Sequence, residues 1–249
     1  MARERATLVF VPGLLAGGWI WDDTGAQLTE HHKVVVELPA HGGRPPAPAA
    51  VPLAHLVDDV VRVAGDIAGP VALVGQSLGA VICLHAAPRI ARLTGLVLVA
   101  MPLAPETAAS RARRLGTLAA MGRLGVRPVL RAMAAWLFGR STRRDAPERV
   151  ARWLDAASHL DPAGVVRTAH AALARPDGEP ALARVAVPAL VVGGSEDAVL
   201  DPGEAARTAR GLVRATAHEL AGCGHQIPIE RGAALGQLIH DWIDQGECT

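Results

Sequence analysis

The sequence predicts an α/β domain: a mostly parallel central sheet flanked by helices, interrupted by a helical insertion. Three observations predict it. Short Val- and Leu-rich runs recur without polar alternation, as strands buried on both faces do. Amphipathic stretches of helical period separate them, as crossover connections require. Between residues 102 and 181 the strand-like runs stop and only helical patterning continues.

The first strand is expected over Thr7–Val11. A basic start and an apolar stretch reaching Trp21 together mimic a secretory signal. Pro12, Gly13, Gly17 and Gly18 break that stretch, and it ends in Trp19-Ile-Trp21 instead of small residues. A buried strand running into a glycine-rich loop is the better reading. Val34–Glu37, Val71–Val74 and Leu96–Val99 supply three further strands. Leu53–Ile67 reads as a helix, because Leu56, Val57, Val60, Val61, Ala64 and Ile67 share one face. Gly42–Pro52, rich in Pro and Ala, reads as a surface loop. Helices follow around Arg111–Gly122, Pro128–Phe138, Pro147–Ser158 and Pro162–Leu173. Strands resume at Ala189–Val192 and Ala217–Leu220, and a last helix covers Ala233–Ile243. Neither flank alone holds enough strands for a sheet. A single core over 1–101 and 182–249, with 102–181 inserted as a helical cap, therefore explains the pattern better than tandem domains.

Composition narrows the class. The chain has 249 residues, 50% hydrophobic and 20% charged, which suits one globular domain with a real core. No uninterrupted apolar run is long enough for a membrane span. Cys83, Cys223 and Cys248 are too few and too scattered for a disulfide framework or a structural zinc site, and they suit a cytoplasmic protein. A net charge of +1, 3% aromatics and no Tyr argue against nucleic-acid binding. Charge is uneven, however. Residues 111–152 hold eleven Arg against Asp145 and Glu148, a balance of +9 that leaves −8 on the rest. This is either a solvated helical face or a basic cap that attracts an anionic substrate or an acidic acyl carrier protein.

The chemistry centres on Gly75-Gln-Ser77-Leu-Gly79, which follows the strand Val71–Val74 and opens the apolar helical run Leu78–Ala87. A serine on so sharp a strand-to-helix turn needs small neighbours. The turn lifts the hydroxyl above the sheet edge, with a helix N-terminus beneath any negative charge formed there. A serine hydroxyl is a weak nucleophile and needs a base, and the base needs an orienting acid. Asp197 follows the strand Ala189–Val192, and His225 follows Ala217–Leu220 in Gly222-Cys-Gly-His225. Both fall just past the carboxyl ends of strands, where such sheets bind ligands. Glu196 competes with Asp197 for the acid role, whereas Asp201, before Pro202, reads as a helix N-cap. Of the other histidines, His31 and His32 precede a strand, His85, His170 and His240 fall in helices, and His218 lies in a strand. His41 and His159 have loop or helix-end positions that can face a pocket. Two backbone donors are expected for an oxyanion: Leu78 N–H after the serine, and Leu14 N–H in the loop Pro12–Leu15. Leu15 and Gln76 neighbour those positions and are expected at the substrate.

With these motifs in place, the chain resembles the α/β-hydrolase superfamily over nearly its whole length. Within it, the chain is similar to the small capped esterase, enol-lactonase and cofactor-free haloperoxidase group. The resemblance rests on Phe10-Val-Pro-Gly13 with Trp19 and Trp21, Glu37-Leu-Pro-Ala-His-Gly42, Gly75–Gly79, Gly194–Asp197, and Gly222–His225 with Glu230. It implies a catalytic Ser77, His225 and Asp197, oxyanion donors at Leu14 and Leu78, and a cap over the active site. One departure stands out: the family usually carries His-Gly where this chain has Pro12-Gly13. The missing His normally steadies the oxyanion loop.

The leading expectation is a serine hydrolase of a carboxylic ester or lactone. The alternatives are an acyl thioesterase acting on a carrier protein or coenzyme A, a lyase or cyclase reusing Ser77 and His225 for proton transfer, and a non-catalytic receptor. In the cap, Leu115, Leu118, Met121, Leu124, Leu130 and Phe138 offer apolar side chains at helical spacing, as do Met133, Trp136 and Leu137. Met133, Trp136 and Leu137 are expected to line a pocket for a partly apolar substrate. No metal-ligand cluster or phosphate loop is present in the sequence, so no metal or cofactor is implied.

Overall fold

The computed structural model describes residues 5–245; Cys248 lies outside them. The chain runs through β1 (Thr7–Val11), a 3-10 turn (Gly18–Trp21), α1 (Asp22–Gly25), β2 (Lys33–Val35), α2 (Leu53–Gly65), β3 (Val71–Gln76), α3 (Leu78–Ala86) and β4 (Leu93–Val99). Then come α4 (Ala108–Leu124), α5 (Val126–Leu137), α6 (Arg140–Asp145), α7 (Pro147–Ser158), α8 (Pro162–Leu173) and α9 (Glu179–Leu182). The sheet resumes with β5 (Ala189–Gly194), α10 (Glu204–Gly211), β6 (Ala215–Leu220), α11 (Ile227–Glu230) and α12 (Gly232–Asp244). The six strands are parallel, in the order β2-β1-β3-β4-β5-β6.

Two cores sandwich the sheet, and strand periodicity divides them. Val9, Val11, Leu73, Leu96, Leu98 and Val191 point to the side covered by α2 and α3. Leu8, Phe10, Val74, Val97, Val99 and Val192 point to the other side, with Trp21, Leu235, Ile239 and Trp242. That alternation, apolar on both faces, is why these strands read as unbroken Val/Leu runs.

Three local expectations are corrected. β2 ends at Val35, short of Glu37. Val36 N–H still reaches the Phe10 carbonyl at 2.9 Å, but Glu37 turns aside and its carboxylate accepts Gly18 N–H at 2.7 Å. The glycine-rich loop after β1 carries two short helical turns. Asp201 is no N-cap: left-handed Gly203 holds that position before α10, and the Asp201 carbonyl accepts Glu204 N–H at 3.1 Å.

Trp153 of α7 fastens the helical segment to the core. It is fully buried, packs edge-on to Phe138 with centroids 5.4 Å apart, and donates its indole N–H to the Leu15 carbonyl at 3.0 Å. Trp153→Ala is expected to destabilise the fold by about 3–5 kcal/mol, since it empties a large site that rigid neighbours cannot fill. Denaturant titration checks this, and a change below about 1 kcal/mol would mean that α7 docks by other contacts.

Candidate active site

Backbone strain gathers at the carboxyl edge of the sheet. The four non-glycine residues with positive φ among those described are Leu15 (62°), Ala40 (65°), Ser77 (53°) and Ala100 (48°). Each follows the end of one of β1 to β4. Such a conformation costs about 1–2 kcal/mol for an L-residue and persists only where neighbours enforce it.

At Ser77 the neighbours are two glycines. A Cβ on Gly75 would lie 2.5 Å from the Gly79 carbonyl oxygen, and one on Gly79 would lie 2.1 Å from that of Val11. Only hydrogen fits at either position, so β3, the turn and α3 close tightly around the serine. Ser77 stands at the N-cap of α3, yet its hydroxyl caps nothing. Its Oγ instead lies 2.9 Å from His225 Nε2. His225 Nδ1 lies 2.9 Å from Asp197 Oδ2, and Asp197 Oδ1 accepts Val199 N–H at 2.7 Å and Leu200 N–H at 3.1 Å. Burial works to raise the Asp197 pKa, but His225 and these two backbone donors outweigh it and hold the carboxyl below its ordinary value. An ionised Asp197 can only accept, so Nδ1 carries the proton and Nε2 is left to accept from the serine.

Glu196 points elsewhere. It accepts from Ser141 N–H at 2.8 Å and Ser141 Oγ at 2.7 Å, binding the strand-edge loop to α6. Buried Glu230 works beside it, accepting Gly139 N–H at 2.8 Å, Gly224 N–H at 3.0 Å and Gln226 N–H at 3.1 Å. His225 N–H itself donates to the Leu137 carbonyl at 2.9 Å. The α5–α6 junction and the histidine loop are thus one hydrogen-bonded unit.

The loop after β1 is held from three sides. Leu15 N–H donates to His41 Nε2 at 3.1 Å, the Leu15 carbonyl accepts from Trp153, and Gly18 N–H donates to Glu37. His41 Nδ1 lies 2.8 Å from the Pro39 carbonyl oxygen, so the ring is the neutral Nδ1–H tautomer, fully buried. His41 therefore steadies the loop that Pro12 cannot. Leu14 N–H and Leu78 N–H are both unspent among the described residues.

Burial holds the His41 pKa below its ordinary value, and burial with Arg184 does the same to His85. A histidine with a depressed native pKa binds fewer protons folded than unfolded, so its contribution is lost as pH falls below the unfolded value. The melting temperature is expected to drop between pH 7 and pH 5, and His41→Gln to flatten that drop. An equal slope in the variant would remove His41 from the account.

A cavity of about 400 Å³ is lined by Ser77 and His225 from the core. Leu14, Leu15, Gln76 and Leu78 join them, and Leu118, Met133, Trp136 and Leu137 line it from α4 and α5. Gln76 is buried and donates to the His225 carbonyl at 3.1 Å, so its amide braces the histidine loop. Met121, Leu130 and Phe138 pack in the core, while Leu115 and Leu124 are exposed. His159 is exposed and binds the Asp155 carbonyl. Sequence reasoning missed the α8 wall of Val165, Ala169 and Ala172, although their i, i+4, i+7 spacing marks one face. It also missed Arg113, Arg114 and Arg175 as lining residues. Burial, with Glu230 nearby, pushes the Cys223 thiol up to about 12, and burial raises Cys83 further, so neither supplies a thiolate near neutral pH. Among the described residues, no group of three His, Cys, Asp or Glu could hold a metal, and no helix is long and apolar enough to cross a membrane.

A parallel sheet with a serine on a strained strand-to-helix elbow defines an α/β hydrolase. The family model for the alpha/beta hydrolase family matches residues 8–237, and the chain belongs to that family. A polyketide synthase, ThaQ of Burkholderia thailandensis, is 32% identical over 96% of this chain; the chain spans 12% of that synthase's length. A putative carbamate hydrolase, RutD of Variovorax paradoxus, is 28% identical over 93% of this chain and 89% of its own. Among solved structures, an esterase from Thermogutta terrifontis superposes with a TM-score of 0.88 at 24% identity, over 98% of this chain and 92% of its own. An enol-lactonase from Burkholderia xenovorans superposes at 0.85 and 21% identity, over 98% of this chain and 94% of its own. In fold the protein is similar to esterases and enol-lactonases.

Proposed function

We propose that the protein hydrolyses a carboxylic ester or lactone of a small, partly apolar substrate through an acyl-enzyme. The observation that carries this reading is the Asp197–His225–Ser77 relay, closed at 2.9 Å on both links. Ser77 Oγ attacks the carbonyl carbon while its proton passes to His225 Nε2. Leu14 and Leu78 N–H groups hold the oxyanion, each worth about 3 kcal/mol. His225 then gives its proton to the departing alkoxide and takes one from water; the hydroxide adds to the acyl carbon, and His225 returns that proton to Ser77 Oγ as the acyl–oxygen bond breaks. Residues 102–181 act as a cap, and Met133, Trp136 and Leu137 bind the apolar portion of the substrate. Turnover of 4-nitrophenyl butyrate in ¹⁸O water tests the reaction class. One ¹⁸O in the butyrate is expected, and conversion of candidate substrates without water oxygen would favour a lyase or cyclase.

A second reading, an acyl thioester carried by an acidic carrier protein, draws support from charge. α4 and α5 hold Arg111, Arg113, Arg114, Arg123, Arg127 and Arg131 and no acidic residue. In the following helices Arg144, Arg149 and Arg152 are paired with Asp145, Asp23 and Asp22 at 2.6–3.1 Å. The relative within a polyketide synthase supports the same reading. If a carrier docks here, kcat/KM for butyryl-acyl carrier protein should fall about tenfold or more from 50 to 500 mM salt, because screening shortens the reach of these charges. A flat salt response would remove the carrier from the account.

A further inference from the structure

The cavity wall that faces away from the sheet carries more positive charge than its structure neutralises. Arg113, Arg114 and Arg175 line it, together with Thr117. Among the described residues one carboxylate, Glu106, pairs with any of them, and it reaches Arg175 and Arg114 only. It is almost wholly buried and takes Arg175 Nη1 at 2.7 Å, the Ser110 hydroxyl, and Arg114 Nε at an ionic distance of 2.9 Å. Arg175 is fixed further by the Ala104 and Ala172 carbonyls at 3.0 and 2.8 Å. The Arg114 side chain makes no hydrogen bond among the described residues, and the Arg113 side chain makes neither a hydrogen bond nor an ion pair among them. Burial and the like charges of Arg175 and Arg113 hold the Arg114 pKa below its usual value, against the opposing pull of Glu106. Three guanidinium groups and one carboxylate leave this wall with a charge of +2 beside an otherwise largely apolar pocket.

Like charges gathered in a partly desolvated place are unfavourable unless something answers them. Surface arginines can separate into solvent. Arg175, with a side chain only 8% exposed, cannot. The forked donors of Arg113 and Arg114 suit the paired oxygens of a carboxylate or a phosphate. We propose that Arg113, Arg114 and Arg175 form an anion subsite that binds a carboxylate or phosphate group of the substrate at the cap side of the cavity. This rests on the reading that the cavity is the substrate site. The substrate is then an anionic ester, lactone or thioester, with its charge on a part of the molecule remote from the scissile carbonyl.

Binding tests this without requiring turnover. Calorimetry on the Ser77→Ala protein would compare monomethyl glutarate with dimethyl glutarate, and 4′-phosphopantetheine with pantetheine. At least one anion is expected to bind ten times more tightly than its neutral partner, and which one does so distinguishes carboxylate from phosphate. Arg113→Gln, at an exposed position on α4, should cut that preference at least threefold, and Arg113→Gln with Arg114→Gln should abolish it. Equal binding of both anions and their neutral partners would overturn the subsite, as would a preference that survives the double substitution. Loss of ester turnover in the wild type would instead strike at the reaction, leaving these affinities interpretable.

Discussion

Ser77→Ala is expected to lower kcat on 4-nitrophenyl butyrate by about four to six orders of magnitude, the scale on which a triad serine is lost. The variant should remain folded. The hydroxyl caps no backbone group of α3, so its removal breaks one hydrogen bond, to His225. Alanine at φ 53° is no more strained than serine, and Gly75 and Gly79 still close the turn. Stability should therefore change by no more than about 1 kcal/mol. An intact fold with turnover gone separates a nucleophile from a structural serine. A variant that keeps a tenth of the wild-type rate would move the nucleophile elsewhere.

Asp197→Asn is expected to cost about 10⁴ in kcat at neutral pH, by a different route. The asparagine carbonyl can keep the Val199 and Leu200 N–H bonds now made by Oδ1. Its amide then turns N–H toward His225 Nδ1, which must accept. The ring adopts the Nε2–H tautomer and can no longer take the Ser77 proton. The geometry survives and the proton is on the wrong nitrogen. Glu196 cannot substitute, since both its oxygens are bound at Ser141. A loss below about tenfold would mean that the carboxylate does not set the tautomer.

The fold was legible because buried parallel strands and amphipathic crossovers leave strong periodic signals. The serine elbow was legible because its sterics demand two glycines in a fixed local frame. Asp197 and His225 could be placed by chain order past strand ends. What the sequence did not disclose is long-range. Glu230 joins the histidine loop to the α5–α6 junction, and Glu196 joins the loop after β5 to α6, each across 55 residues or more in sequence, and no local pattern marks such a pairing. His41 looked like a pocket-facing loop histidine; only the fold brings its Nε2 to Leu15 N–H, 26 residues away. Pro12 drew attention as a departure, yet the loop is held by Glu37 and His41 from the segment after β2 and by Trp153 from α7. The arginines of 111–152 read as one basic block, although Arg114, Arg144, Arg149 and Arg152 are paired to acids and two of the block, Arg113 and Arg114, line the cavity. Composition counts charges and cannot see which of them are answered.

The most direct test of an activated Ser77 is intact-mass measurement after incubation with a small fluorophosphonate. A single phosphonyl adduct on the wild type, and none on Ser77→Ala, is the predicted result. A well-folded wild type that takes no adduct, or a Ser77→Ala protein that takes one equally, would contradict it.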